Sequence, residues 1–448
     1  MKIKTTTYKT FPLNKRDIRL EIGIVIELPG ASSLNTSAIV QLRPLDYLAG
    51  KSPAEAFGLL YLSAIVYAID RSIDRKVYSI DGWSRVFDVD ISLPRHEAFR
   101  PIERQVNAML SFLTGDYWEC HFVGAAALKY PNYKPEAYFD GITQVNLFSG
   151  GMDSLIGAID YMTTHPDGKL FLASHYDSRM PGPLSDQKRL VELFSPKYRG
   201  KYCLLPAIKP AVRINPGLSA ELTCRSRSLM FLSIALVVAS YAGCRIVVPE
   251  NGSVSLNYPL SPSRRASCST RTTHPIFLKM FREVITALGL GVDVVNPYEK
   301  MTKGEMVKEC ADKAYLLNVV ADSNSCGKRG KRQYYYDNSR ASHCGHCMPC
   351  MYRKAALVGE HDPTTYGNKL ITLFRKKGGV VAADIYAMLN FLKKDLAKEQ
   401  IRQELRVAGM GGFPDLDDYV ALVERTRAEL KSMIIADNNR TILKYMGW

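Results

Sequence analysis

Val145-Asn146-Leu147-Phe148-Ser149-Gly150-Gly151-Met152-Asp153-Ser154 is the stretch that decides how this chain is read. An apolar, strand-like run ends in two adjacent glycines, and a helical pattern opens at Ser154. Adjacent glycines let a backbone turn sharply and approach an anion closely. The following helix N-terminus offers free N–H groups and a partial positive charge. Ser149 and Ser154 add hydroxyl donors. Asp153 would repel phosphate unless a cation intervened, which suggests Mg²⁺ between carboxylate and phosphates. The pattern is neither G-x-x-x-x-G-K-[ST] nor G-x-G-x-x-G. The plainer alternative is a tight strand-to-helix turn capped by Ser and Asp.

Around this stretch, strand-like runs alternate with helical ones. Strands are predicted at Val145–Phe148, Leu170–His175, Tyr202–Pro206, Arg245–Pro249 and Val292–Val295. Helices are predicted at Ser154–Met162, Leu184–Phe194, Ser226–Tyr241, Pro275–Leu288 and Lys303–Cys310. Such alternation predicts a doubly wound α/β fold, a parallel sheet covered on both faces. Ligands then bind beyond the carboxyl ends of the strands. Residues 1–140 mix strands (Ile18–Leu28, Val86–Ile91, Tyr117–Phe122) with helices (Pro53–Asp70, Arg100–Leu113) and read as a self-contained α+β domain. Lys129–Tyr138, with two prolines, reads as a linker. The central domain spans 141–375. Residues 376–448 read as a helical extension: Val380–Leu405, a Gly409–Pro414 breaker, and a helix from the caps Asp415 or Asp417 to Ile435.

The 448 residues are 46% hydrophobic and 23% charged, which excludes collagen-like, coiled-coil and wholly disordered chains. A net charge of +15 favours anionic ligands: nucleotides, nucleic acid or an acidic partner. The most apolar run, Leu229–Gly243, is short of the ~18–20 residues a membrane span needs, and reads as a buried helix. The start, MKIKTTTYKTFPL, lacks the apolar core of a secretory signal, so a cytoplasmic location is expected. Of ten cysteines, four crowd into residues 326–350, the mark of a metal site rather than a disulfide scaffold. Cys326, Cys344, Cys347 and Cys350 offer four soft ligands that suit tetrahedral, structural Zn²⁺. A ferredoxin-type cluster would want a further Cys three residues on, where Lys354 stands. His343 and His346 are substitute ligands. Between the cysteines lies a basic, aromatic loop (Lys328, Arg329, Lys331, Arg332, Tyr334, Tyr335, Tyr336, Arg340). It suits either phosphate contacts and base stacking or a solvated surface.

The Ser-Gly-Gly-x-Asp-Ser stretch resembles the pyrophosphatase loop (PP-loop) of ATP-dependent adenylating enzymes. Together with Cys…CxxCxxC, it resembles the 7-cyano-7-deazaguanine synthase (QueC) family over roughly residues 143–360. CRSRSLMFLSIALVVASYAG (224–243), VPENGSVSLNYP (248–259), NPYEKMTKGEMV (296–307) and CGHCMPCMYRKAAL (344–357) are similar in character to family segments. The resemblance implies an adenine nucleotide hydrolase-like fold with a zinc knuckle. ATP adenylates the carboxylate of 7-carboxy-7-deazaguanine, pyrophosphate leaves, and an amine attacks the acyl-adenylate. In the housekeeping enzymes the amine is ammonia, and a second ATP-driven step gives the nitrile. The implied nucleotide-binding residues are Leu147, Phe148, Ser149, Gly150, Gly151, Met152, Asp153 and Ser154, with Asp153 on Mg²⁺. Arg225 or Arg227 would neutralise phosphate or carboxylate. Glu250 and Asn251 would meet the deazaguanine edge. Arg271, in Thr270-Arg271-Thr272-Thr273-His274-Pro275, would act catalytically or bind substrate, and His274 is either a base or a helix cap.

The chain departs from the compact family in its long leading and trailing segments, its Cys326–Cys344 spacing and its TRTTHP segment. The longer architecture resembles the QueC-like proteins of bacterial antiviral defence (Qat-type) systems. That resemblance implies a deazaguanine-type ligand and a partner protein from the same operon; the chemically economical hypothesis is that the activated carboxylate passes to a protein α-amine or Lys instead of ammonia. The alternatives are a 7-cyano-7-deazaguanine synthase using ammonia, a PP-loop tRNA-modifying enzyme, and a non-catalytic nucleotide-sensing scaffold.

Overall fold

The computed structural model describes the chain apart from residues 15–16, 29–31, 126–127, 129–138, 176–181, 206–209, 224, 261–270, 330 and 377–381. The strands are β1 (Lys2–Asn14), β2 (Asp17–Glu27), β3 (Leu34–Gln41), β4 (Val86–Leu93), β5 (Tyr117–Gly124), β6 (Ile142–Leu147), β7 (Lys169–Ala173), β8 (Tyr202–Leu204), β9 (Pro210–Arg213), β10 (Arg245–Val247) and β11 (Val294–Val295). The principal helices are α1 (Ala54–Ser72), α2 (Glu103–Thr114), α3 (Met152–Thr164), α4 (Gly182–Tyr198), α5 (Arg227–Ala242), α6 (Pro275–Ala287), α7 (Lys303–Glu309), α8 (Met348–Ala356), α9 (Ala383–Lys393), α10 (Lys398–Val407), α11 (Leu416–Asp437) and α12 (Arg440–Met446).

Among the described residues the second sheet is wholly parallel, in the order β11-β10-β6-β7-β8. This is the doubly wound sheet expected from the alternation. The first sheet is mixed, in the order β5-β4-β1-β2-β3-β9. Its last strand, β9, pairs antiparallel with β3 and comes from beyond residue 140. The leading sheet is thus completed by a strand from the following region. β1 and β3 were not anticipated, and the expected linker at Lys129–Tyr138 lies outside the described residues.

One apolar core joins the two sheets. It takes in Leu20, Ile22 and Ile24 of β2, most of α1, and Leu232, Leu236 and Val237 of α5, and reaches Val145 of β6 and Phe171 of β7. α1 and α5 are apolar around most of their circumference, as helices buried on all sides must be. No helix of the described residues is long and apolar enough to cross a membrane. A second core covers the other face of the parallel sheet, from Phe148, Leu155 and Ile156 to Leu190, Phe194 and Met306. A third gathers α8 to α12. The single helix expected over Val380–Leu405 is two, α9 and α10, and α12 is additional. At the break the Arg427 guanidinium of α11 donates to the carbonyls of Leu392 and Lys394, at the end of α9.

Between α1, β4, β5 and the approach to α5 lies a buried ionic network. The fully buried Arg85 meets Asp70 at 2.6 Å and Asp116 at 2.7 Å. Arg75 grips both oxygens of Asp116 at 2.8 Å, and its backbone N–H donates to Glu221 at 3.0 Å. Asp70 also accepts the N–H and hydroxyl of Ser226, at 3.1 and 2.7 Å, and so caps α5. Burial alone would push the Asp70 carboxyl up; Arg85 and Ser226 hold it below its ordinary value. Removing one partner of a buried pair leaves an uncompensated charge, worth ~3–5 kcal/mol. Asp70→Ala is therefore expected to lower unfolding stability in urea by about that amount. Lys4→Met, which breaks the exposed Lys4–Glu27 pair, is expected to change it by less than ~1 kcal/mol. Equal effects would refute the network's role.

Candidate functional site

From β6 the chain builds β7 and β8 to one side, then returns to place β10 and β11 on the other. The order reverses between β6 and β10, and a crevice forms there beyond the strand ends. Ser149–Ser154 lies past β6, and Val248–Asn251 lies past β10. Gly150 has φ +86°, a left-handed conformation that side chains disfavour. A Cβ there would sit 3.1 Å from the Asp186 Cβ and 3.3 Å from the Gln187 nitrogen of α4. Gly151 precedes α3, and its N–H donates to Ser149 Oγ at 3.3 Å. Ser154 Oγ donates to the Gly151 carbonyl at 2.9 Å and lies 3.4 Å from Ser149 Oγ. At Gly157 a Cβ would come within 2.5 Å of Pro249, so α3 needs glycine to lie against the end of β10.

The crevice holds a cavity of about 140 Å³ whose lining includes Leu147, Ser149, Ser154, Arg227, Glu250 and Thr273. Ser228 also lines it; its hydroxyl is buried without a hydrogen-bond partner among the described residues. Leu147, Ser149 and Ser154 of the expected nucleotide stretch thus face the cavity. Phe148 and Met152 point into the core behind the sheet.

Asp153 is buried beneath the turn. Its Oδ2 accepts the backbone N–H of Asn251 at 3.2 Å and the Asn251 side-chain amide at 2.6 Å. Its other oxygen forms an ion pair with Lys303, on α7. Burial would raise this carboxyl, but the Lys303 charge holds it below its ordinary value. Glu250 shares a hydrogen bond with Asp153; burial and the adjacent Asp153 charge push it well above its ordinary value, so it carries a proton. The cation that the sequence required beside Asp153 is thus present as a lysine. Of the two carboxyls only Glu250 lines the cavity, and both Asp153 oxygens are taken, by Asn251 and Lys303, so the pair as arranged does not offer two free oxygen donors to a hard dication such as Mg²⁺.

Other expected residues are placed elsewhere. Arg225 is buried against the leading region, its guanidinium 4.2 Å from the Trp83 ring and donating to the Thr114 carbonyl at 3.2 Å. Asn251 is committed: besides meeting Asp153, it caps the turn at Val254 N, 3.0 Å away. Arg271 lies over Phe112 of α2, 4.4 Å from the ring, and donates to its carbonyl at 2.8 Å. It lines a separate cavity of about 440 Å³ with Tyr258 and Glu404, while the neighbouring Thr272 and Thr273 face the cavity beside Ser149 and Ser154. His274 is a cap rather than a base. Its Nδ1 accepts Ile276 N–H at 3.2 Å, and burial with nearby Arg271 lowers its pKa to about 3. Lys303 and Ser228 were not anticipated. The sequence shows Lys303 only as part of Thr302-Lys303-Gly304-Glu305, the capping box that starts α7.

The four cysteine Sγ atoms all lie within 4.8 Å of one another. Cys344 is 3.8 Å and Cys347 3.4 Å from Cys350. A tetrahedral zinc with Zn–S of ~2.3 Å spaces its sulfurs about 3.8 Å apart, so the cluster is compatible with a zinc knuckle. Backbone N–H groups of Cys344, His346 and Cys347 also point at cluster sulfurs. His343 and His346 turn to Ser342 and Asn368 instead. In the basic loop, Lys328 is paired with Asp384 and Arg329 with Asp186, and Tyr335 is buried against Gly367.

Two measurements check this geometry. Elemental analysis is expected to give one zinc per chain, lost with a large fall in melting temperature in Cys344→Ser; a metal-free, equally stable wild type would contradict it. Glu250 has its folded pKa above its ordinary value of 4.5. Its contribution to stability is therefore complete below about pH 4.5 and is lost as pH rises through the folded value. Glu250→Gln has no such loss. Its stability relative to wild type is expected to increase from pH 4 to pH 7 in urea titrations, and a flat difference would count against the shared proton.

Residues 219–360, about a third of the chain, match the family described as Queuosine biosynthesis protein QueC. The match takes in α5, Glu250, Lys303 and the four cysteines but not Ser149–Ser154. No curated protein and no solved structure matches the chain.

Proposed function

We propose that this chain is an ATP-dependent carbon–nitrogen ligase acting on a 7-carboxy-7-deazaguanine-like acid. The observation that carries the reading is one crevice with two walls. One wall is the Ser149–Ser154 turn at the reversal point of a parallel sheet; the other belongs to the segment that matches QueC. Ser149, Ser154 and the N-terminus of α3 receive the outer phosphates of ATP. Arg227, facing the same cavity, offsets their charge. A carboxylate oxygen attacks the α-phosphorus and the bond to pyrophosphate breaks. The amine then attacks the acyl carbon, AMP departs with the bonding electron pair, and the amine proton passes to solvent. Lys303 holds Asp153 ionised and in place. The cysteine cluster would hold Zn²⁺ as a structural element.

The amine in this reading belongs to a partner protein of an antiviral defence operon. Its support is the resemblance of the long architecture, in which the leading region shares a core with the parallel sheet and the trailing helices pack against α8. RNA is not required, since Lys328 and Arg329 of the basic loop are already paired with acids.

Incubation with ATP and 7-carboxy-7-deazaguanine is expected to yield AMP and pyrophosphate rather than ADP and phosphate. Ser149→Ala and Asp153→Asn are each expected to lose roughly 100-fold or more. With the operon partner, mass spectrometry is expected to show one deazaguanine acyl group added. An unchanged partner with nitrile released would assign the ammonia-using synthase instead. Pyrophosphate release only with RNA would assign an RNA-modifying enzyme. Defence retained in Asp153→Asn would assign a scaffold.

A further inference from the structure

We propose that Ser325, the residue before the first cysteine of the cluster, is a phosphate-binding residue that relays the positive end of α3 into the cradle at Gly151. This inference rests on the ATP reading above and adds a residue from outside the Ser149–Ser154 turn. The segment around Ser325 lies directly on that turn. Asn324 N–H donates to the Gly150 carbonyl at 2.9 Å, and Met152 N–H donates to Ser325 Oγ at 3.2 Å. A Cβ on Gly151 would sit 3.4 Å from Ser149 Oγ and 3.5 Å from Ser325 Oγ. Ser154 Oγ is 3.4 Å from Ser149 Oγ. The Ser149 and Ser325 hydroxyls, with the Asn324 carbonyl at 3.7 Å, thus flank the position a Gly151 side chain would take, and Ser154 Oγ lies next to Ser149.

The chemistry follows from the hydroxyl's two roles. Met152 N–H is one of the first-turn donors of α3 with no partner inside the helix. Ser325 Oγ accepts it and keeps its own proton to donate. A phosphate oxygen over Gly151 would receive that proton, so the helix acts on the anion through the hydroxyl. On the other side of Ser149 and Ser154, the cavity they line also holds Ser228, whose buried hydroxyl lacks a partner among the described residues and so calls for a polar ligand next to the turn.

Ser325 is held from both sides. The buried Arg353 guanidinium donates to Ser323 Oγ at 3.0 Å and to the Val320 carbonyl at 2.5 Å. On the other side, Cys326 N–H donates to Asn324 Oδ1 at 2.9 Å, and Cys326 Sγ accepts from Cys344 N–H at 3.3 Å. The cysteine cluster therefore fixes the height of Ser325 over the turn.

The test uses the full-length, zinc-analysed protein with two probes, Mg·ATP and inorganic pyrophosphate with Mg²⁺, by calorimetry. Ser325→Ala is expected to keep wild-type zinc content and bind both probes about tenfold more weakly. Ser325→Thr, which keeps the hydroxyl, is expected to recover most of that affinity. Wild-type affinity in Ser325→Ala, or equal loss in Ser325→Thr with zinc retained, would overturn the relay and leave the ATP reading standing. No binding of either probe by the unsubstituted chain would overturn both.

Discussion

A carboxylate buried under the Ser149–Ser154 turn must be neutralised, and Lys303 does this for Asp153. A buried, unpaired carboxylate would simply protonate. The pair ties three separate stretches together: α3 through Asp153, the end of β10 through Asn251, and α7 through Lys303. Glu250 beside them stays protonated because a second negative charge there would be repelled by the first. The geometry of the turn therefore depends on residues about 100 and 150 positions away.

The leading region belongs to the same device. Its sheet borrows β9, its helix α1 shares a core with α5, and its Asp70 caps the first turn of α5. Arg227 and Ser228, which face the cavity, stand directly after that cap. An extension joined this way orients one wall of the crevice.

The trailing side works through the cysteines. Ser325 touches the turn and Cys326 joins the four-cysteine cluster, so the cluster and the turn at Gly150 are tied through adjacent residues. α8 follows the last cysteines and sends Arg353 back to hold the strap in place.

The sequence by itself determined the parallel sheet, the strand–turn–helix at Gly150, the buried helix at α5 and the four-cysteine cluster. All of these rest on local periodicity, glycine pairs and short spacings. The same locality explains what it left out. β1 also pairs with β4 (Lys2 with Asp88) and β3 with β9 (Ser37 with Arg213), pairings that no short window contains, and Arg427 of another helix donates to the carbonyls where α9 ends. Arg225 and Arg227 are two residues apart, yet one is buried against Trp83 and the other faces the cavity. Lys303 finds Asp153, and Ser325 finds Met152, across more than a hundred residues. Only the tertiary structure decided these, because electrostatic and hydrogen-bond partners are chosen by distance in space rather than along the chain.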